Sequence, residues 1–114
     1  MRVLNKTRGS TIASNLKVAR SFGSRLKGLL GKKELPDGEG ILLEPAYQIH
    51  TMFMKFSIDV LFVDKCLRIV HLIRELKPFR ISGLHIGASK IIELPGGTIA
   101  KSKTEVGDFL TFEN

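Results

Sequence analysis

The sequence predicts a mostly β fold of the α+β class: a compact β-sandwich or barrel with one short helix in its N-terminal third. Three observations carry this. Short runs of branched, aliphatic and aromatic residues recur between Gly, Pro and Asp breakers. A helical stripe stands out over only one segment, residues 21–31. The 114 residues are 43% hydrophobic, which suits one globular domain spanning residues 1–114 with a core of its own.

Arg2 to Lys6 and Leu16 to Arg20 read as strands, with Leu16, Val18 and Arg20 alternating onto one face. Arg8 to Asn15, with Gly9, Ser10 and Ser14, reads as the turn between them. In the segment SFGSRLKGLLG, Ser21 or Ser24 can cap a helix start and Gly31 suits its end. Phe22, Leu26, Leu29 and Leu30 form its apolar stripe. Gly23 and Gly28 cost about 1 kcal/mol each in an isolated helix, so this one must be held by packing. After a loop over Lys32 to Gly40, strands are expected at Ile41 to Glu44, Gln48 to Met54, Ile58 to Val63, Leu67 to Leu76, Lys90 to Leu94 and Phe109 to Phe112. Asp64, Lys65 and Cys66 should turn the third of these into the fourth as a hairpin.

The net charge is +7, and the excess is confined to the front. Residues 1–35 hold nine basic side chains against one acid, Glu34, whereas the remainder holds nine basic and ten acidic. Arg20, Arg25, Lys27, Lys32 and Lys33 form the densest cluster, a candidate contact for an anionic partner. No aromatic residues interleave with these charges as single-strand readers require, so any nucleic-acid affinity should be weak and non-specific. A solvated face that aids solubility is the plainer account. The single cysteine, Cys66, can form neither an internal disulfide nor a two-cysteine zinc site. Together with an N-terminus that lacks a signal-peptide pattern and apolar runs far short of a bilayer span, it makes the cytoplasm the expected compartment and leaves a membrane out of the expected partners.

The richest segment for chemistry is IHTMFMKFSIDVLFVD, residues 49–64. On a straight strand His50, Met52 and Met54 share a face, a donor set suited to Cu(I). Gap-filling core methionines explain the same pattern, so no metal and no cofactor are expected. Thr51, Lys55 and Asp59 would share the other face, where an unbroken strand would hold Lys55 and Asp59 about 13 Å apart. The patterning weakens at Phe56 and Ser57, and a bend there would bring the two into a buried ion pair, able to shift proton affinities or to pin a turn. His71 and His85 are scattered. Neither a Ser–His–Asp signature nor a phosphate loop is present; Gly28 to Lys33 lacks the required spacing.

The order Arg25…Gly28-Leu29-Leu30-Gly31, Gly40-Ile41-Leu42-Leu43, the block from Ile49 to Asp64, Leu76-Lys77-Pro78-Phe79, Ile92-Glu93-Leu94-Pro95-Gly96-Gly97 and Gly107-Asp108 resembles the domain of unknown function 192 family over about residues 15–112. The resemblance implies a compact β-sandwich-like domain with an early helix, and it implies no reaction. His50, Met54 and Asp59 match the family pattern. Met52 stands where relatives often carry an aromatic residue, and Ser57 where they often carry proline. The expectation is therefore a small non-catalytic domain that binds a small ligand or a protein, with a polar pocket near Lys55 and Asp59 and candidate residues His50, Thr51, Met54, Lys55 and Asp59. The alternatives are a small hydrolase or transferase with Asp59 or His50 as base, and a weak nucleic-acid binder through the basic front.

Overall fold

A computed structural model describes residues 1–20, 34–52 and 54–114. The expected helix over residues 21–31 lies outside the described residues, as do Arg25, Lys27, Lys32 and Lys33. The elements run β1 (Arg2–Asn5), β2 (Ser10–Ala13), β3 (Asn15–Ala19), β4 (Glu39–Leu43), β5 (Ile58–Val63), β6 (Ile69–Leu76), β7 (Lys90–Pro95), α1 (Thr98–Ser102) and β8 (Leu110–Glu113). They build two sheets, a three-stranded one ordered β2-β1-β8 and a five-stranded one ordered β3-β4-β7-β5-β6. The fold is mostly β and is not a closed barrel. All pairings are antiparallel except β3 with β4.

The larger sheet is covered on both faces, which is why its interior strand β5 is apolar on both sides, Asp59 excepted, rather than alternating. All six residues of β5 are buried. Leu61 and Val63 of β5, with Ile92 and Leu94 of β7, pack against Val3, Ile12 and Leu110 of the smaller sheet and Ile99 of α1. Ile58, Val60 and Phe62 point the other way, to Ile91, Ile49, Met54 and Ala88. That second face is roofed by two long loops, residues 44–57 and 77–89. Gly40 lies where β4 passes closest to its neighbours: a Cβ there would stand 3.0 Å from side-chain carbons of Leu16 and Leu94 and 3.1 Å from the Glu93 carbonyl oxygen.

Several elements differ from the sequence expectation. Ser10–Ala13, expected within a turn, is a strand: Asn5 faces Ser10 in a hairpin whose reversal uses Gly9 at φ +70°. Val18 does not share the buried face of Leu16. At the sheet edge Leu16 and Ala19 are buried and Val18 is 43% exposed. Gln48 to Met54 is not a strand either. Its one bridge joins His50 to Ile81, and the chain turns at Thr51, whose carbonyl accepts from the Met54 amide. The short helix α1 follows the Pro95-Gly96-Gly97 break that the sequence presents as a terminator. No helix among the described residues is long and apolar enough to cross a membrane.

Candidate functional site

The two roofing loops are tied to each other by main-chain hydrogen bonds. Thr51 N–H donates to the Arg80 carbonyl, Phe79 N–H to Thr51, Ser82 N–H to Ile49 and His85 N–H to Tyr47. Thr51 is the centre of this joint. It is fully buried, its hydroxyl donates to the Lys77 carbonyl, and its Oγ1 accepts from the Arg80 amide at 2.9 Å. A hydroxyl that donates and accepts at once satisfies buried main-chain groups that water cannot reach. Thr51 therefore fastens one roofing loop to the other.

Beside this joint a cleft of about 340 Å³ opens between the end of β3, the end of β4 and the first loop. Ala19, Leu43 and Ile49 supply apolar surface; Arg20, Gln48 and His50 supply polar groups. Glu44 also lines it and stands 4.0 Å from the Lys90 ammonium. His50 Nδ1 accepts from the Met52 amide at 3.2 Å, so the neutral imidazole carries its proton on Nε2. Arg20, expected in a basic patch, and His50, expected in a pocket, thus meet at one cleft. Neither the sheet order nor the loop geometry that joins them can be read from sequence spacing.

The other expected site residues lie elsewhere. Met54 is 3% exposed and belongs to the core of the second face. Met52 is exposed, so His50, Met52 and Met54 do not form one face of a strand. No group of three or more His, Cys, Asp or Glu side chains among the described residues is placed to hold a metal ion. The expected Lys55–Asp59 ion pair does not form. Lys55 is exposed and Asp59 is buried on β5. Asp59 Oδ1 accepts from the Glu75 amide at 2.9 Å, and Oδ2 accepts from the Ile99 amide at 2.8 Å. The reason is topological. Between Ile58↔Leu76 and Val60↔Ile73, one residue of β5 opposes two of β6, a bulge whose extra N–H needs an acceptor. Asp59 supplies it, and its second oxygen takes an amide in the first turn of α1, which has no cap from its own preceding side chain. Each carboxylate oxygen takes one main-chain donor, so the side chain ties β6 and α1 to β5. The cleft beside Thr51 is lined by neither Lys55 nor Asp59.

Two further clusters escaped the sequence reading. Asn5, Arg8 and the Glu105 amide all converge on Asp108 Oδ2, at 2.9 to 3.0 Å, tying β1 to the turn before β8. Burial alone would raise the Asp108 carboxyl, but the hydrogen bonds from Arg8, Asn5 and the Glu105 amide outweigh it and hold the group below its ordinary value. His71 and His85 stack with ring centroids 4.1 Å apart, and His85 also packs on Phe62 at 4.4 Å. Burial, then the neighbouring His85, lower the His71 pKa from its ordinary value. The pairing of Phe62 with His71 across the β5–β6 hairpin fixes which way His71 points, a direction sequence alone leaves open.

These features define a two-sheet, mostly β protein built around a five-stranded sheet covered on both faces. Solved structures share this architecture. A protein of unknown function from Novosphingobium aromaticivorans superposes with a TM-score of 0.76 over 97% of this chain and 82% of that one, at 20% identity. A proposed transcription regulator from Sinorhizobium meliloti gives the same TM-score over 96% of this chain and 89% of that one, at 18% identity. At such identities the likeness is one of fold. The chain belongs to the DUF192 family, described as an uncharacterized ACR, whose family model matches residues 3–112. A UPF0127 protein of Thermococcus sibiricus is 33% identical over 97% of this chain and 74% of its own length.

Proposed function

We propose that this protein is a non-catalytic binding domain whose ligand is a small molecule bearing an acidic group, held in the cleft between Arg20 and His50. The observation that carries this is that Arg20, Gln48 and His50 line one concave, partly apolar cleft of about 340 Å³, the small end of ligand-pocket volumes, while the Glu44 carboxylate that also lines it stands 4.0 Å from the Lys90 ammonium. Arg offers a planar pair of donors to a carboxylate or phosphate, and Gln48 can add neutral hydrogen bonds. Binding is favoured over hydrolysis or group transfer because Asp59, one of the two expected bases, accepts main-chain amides on both oxygens, and the cleft lined by the other, His50, includes no Ser, Thr or Cys among its described residues. The exposed, lone Cys66 thiol suits a reducing compartment, so the cytoplasm is part of the same proposal.

The test is an amide NMR titration with inorganic phosphate, acetate and citrate. The expected result is saturable shifts confined to residues 19–20 and 43–50 for at least one anion, reduced at least about tenfold in affinity by Arg20→Gln, a loss of a charge-assisted contact. Shifts scattered over the basic surface without saturation, or unaltered by R20Q, would remove the cleft from consideration.

A further inference from the structure

The loops over residues 46–57 and 77–89 carry a surface that the cleft does not account for. Six of the eleven exposed large hydrophobic side chains among the described residues lie on them: Tyr47, Met52, Phe79, Ile81, Leu84 and Ile86. Their exposure runs from 36% at Met52 to 82% at Ile86. Isolated exposed hydrophobes are ordinary; six on two loops that are hydrogen-bonded to each other mark a contact surface. Residues 46–57 and 77–89 hold Lys55, Lys77 and Arg80 and no Asp or Glu; Glu44, at the start of the first loop, stands 4.0 Å from the Lys90 ammonium.

We propose that this loop surface docks the protein onto an anionic lipid bilayer, with Ile81, Leu84 and Ile86 entering the headgroup region and Lys55, Lys77 and Arg80 meeting lipid phosphates. Apolar side chains this exposed project outward, and a deformable bilayer interface accepts projections that a protein partner could take only through a matching groove. The net basic complement opposes a second copy of the same surface and favours a negatively charged one. The length argument that excludes a spanning helix does not bear on surface contact, which needs only a few buried apolar groups together with basic ones. The main-chain ties between the loops hold the surface in shape before it meets the lipid, so little order has to be imposed on binding.

The chain carries its own reporter. Tyr47 is the only tyrosine and there is no tryptophan, so tyrosine emission comes from this surface alone. The experiment mixes the protein with vesicles of phosphatidylcholine, or of phosphatidylcholine with phosphatidylglycerol whose acyl chains are brominated, and follows sedimentation and Tyr47 quenching. The expected result is co-sedimentation and quenching with the anionic vesicles only. The double variant Lys77→Gln with Arg80→Gln should weaken binding roughly thirtyfold, from about 1 kcal/mol per basic residue near an anionic surface. Ile81→Ser with Ile86→Ser should abolish quenching while leaving the thermal unfolding curve in place, since both side chains are exposed. Three results would overturn the proposal: no binding to anionic vesicles at low salt; binding without quenching that I81S/I86S leaves unchanged, which would assign the attraction to charge elsewhere; or capture of an acidic amphipathic peptide by these loops while vesicles are ignored.

Discussion

Replacing Asp59 by alanine separates an architectural carboxylate from an ion-paired one. Asp59 is 1% exposed, and its two oxygens take the Glu75 and Ile99 amides at 2.9 and 2.8 Å. Asp59→Ala leaves both donors without their acceptor, at about 1–3 kcal/mol each. Removing a buried carboxylate returns part of that through its lost desolvation cost, so the net loss should be about 2–4 kcal/mol. Against a total stability of about 5–15 kcal/mol this is a large share. Asp59→Asn keeps one acceptor and turns an N–H toward the other amide, so it should recover little, costing about 1–3 kcal/mol. Lys55→Ala should change stability by less than about 0.5 kcal/mol, as exposed side chains generally do. Urea unfolding monitored by circular dichroism at neutral pH measures all three. The reasoning fails if D59A costs less than about 1 kcal/mol, or if K55A matches it, because the second result would restore the ion pair as the stabilising element.

Gly40→Ala should destabilise by about 1–3 kcal/mol through overpacking against Leu16, Leu94 and the Glu93 carbonyl, read from the urea midpoint. Lys103, which ends α1 at φ 56°, should gain up to about 1 kcal/mol on replacement by glycine, visible as a higher melting temperature. His71 titrates below its unfolded value. Its contribution is therefore complete above about pH 6.5 and is lost as pH falls toward the lowered folded value, a slope that His71→Gln should flatten. Asp108 is likewise depressed, so its contribution is complete above the unfolded carboxylate range near pH 4 and is lost as pH falls through the lower folded value; Asp108→Asn should remove that acid-limb dependence.

What was legible in the sequence follows from what each signal is made of. Ile58–Val63 was bounded correctly because five of its six residues are apolar and β-favouring, four of them in a run closed by Asp64, which allows few other readings. The Asp64 turn was legible for the same local reason: its side chain accepts from the Cys66 and Arg68 amides within five residues. Ser10–Ala13 was lost because Ser and Thr next to Gly9 signal a turn, whereas pairing with β1 makes it a strand. Five residues are too few for α1 to show helical periodicity, and the acceptor for its first turn comes from Asp59, 40 positions upstream of Ile99. Gln48 to Met54 alternated like a strand, but only one bridge formed because Thr51 spends its backbone and hydroxyl on the opposing loop. The cleft is harder still to foresee. Arg20 and His50 reach it from different segments, and only the parallel pairing of β3 with β4 sets those segments side by side.

The order β2-β1-β8 has a consequence for the timing of folding. The first strand lies beside the last, with Arg2 opposite Glu113 and Asn5 opposite Leu110. On the ribosome, β1 and β2 can close their hairpin early, but the smaller sheet waits for its third member until Leu110–Glu113 emerges. Until then Val3 and the other core side chains that meet Leu110 keep an open flank, and Asn5 lacks its partners Thr104 and Asp108. Pairings this distant in sequence are slow to form and leave sheet edges available to other chains in the meantime. Synthesis interrupted anywhere before Leu110 therefore yields a chain with β1 paired on one side only, and the emergence of β8 becomes the event that completes the smaller sheet.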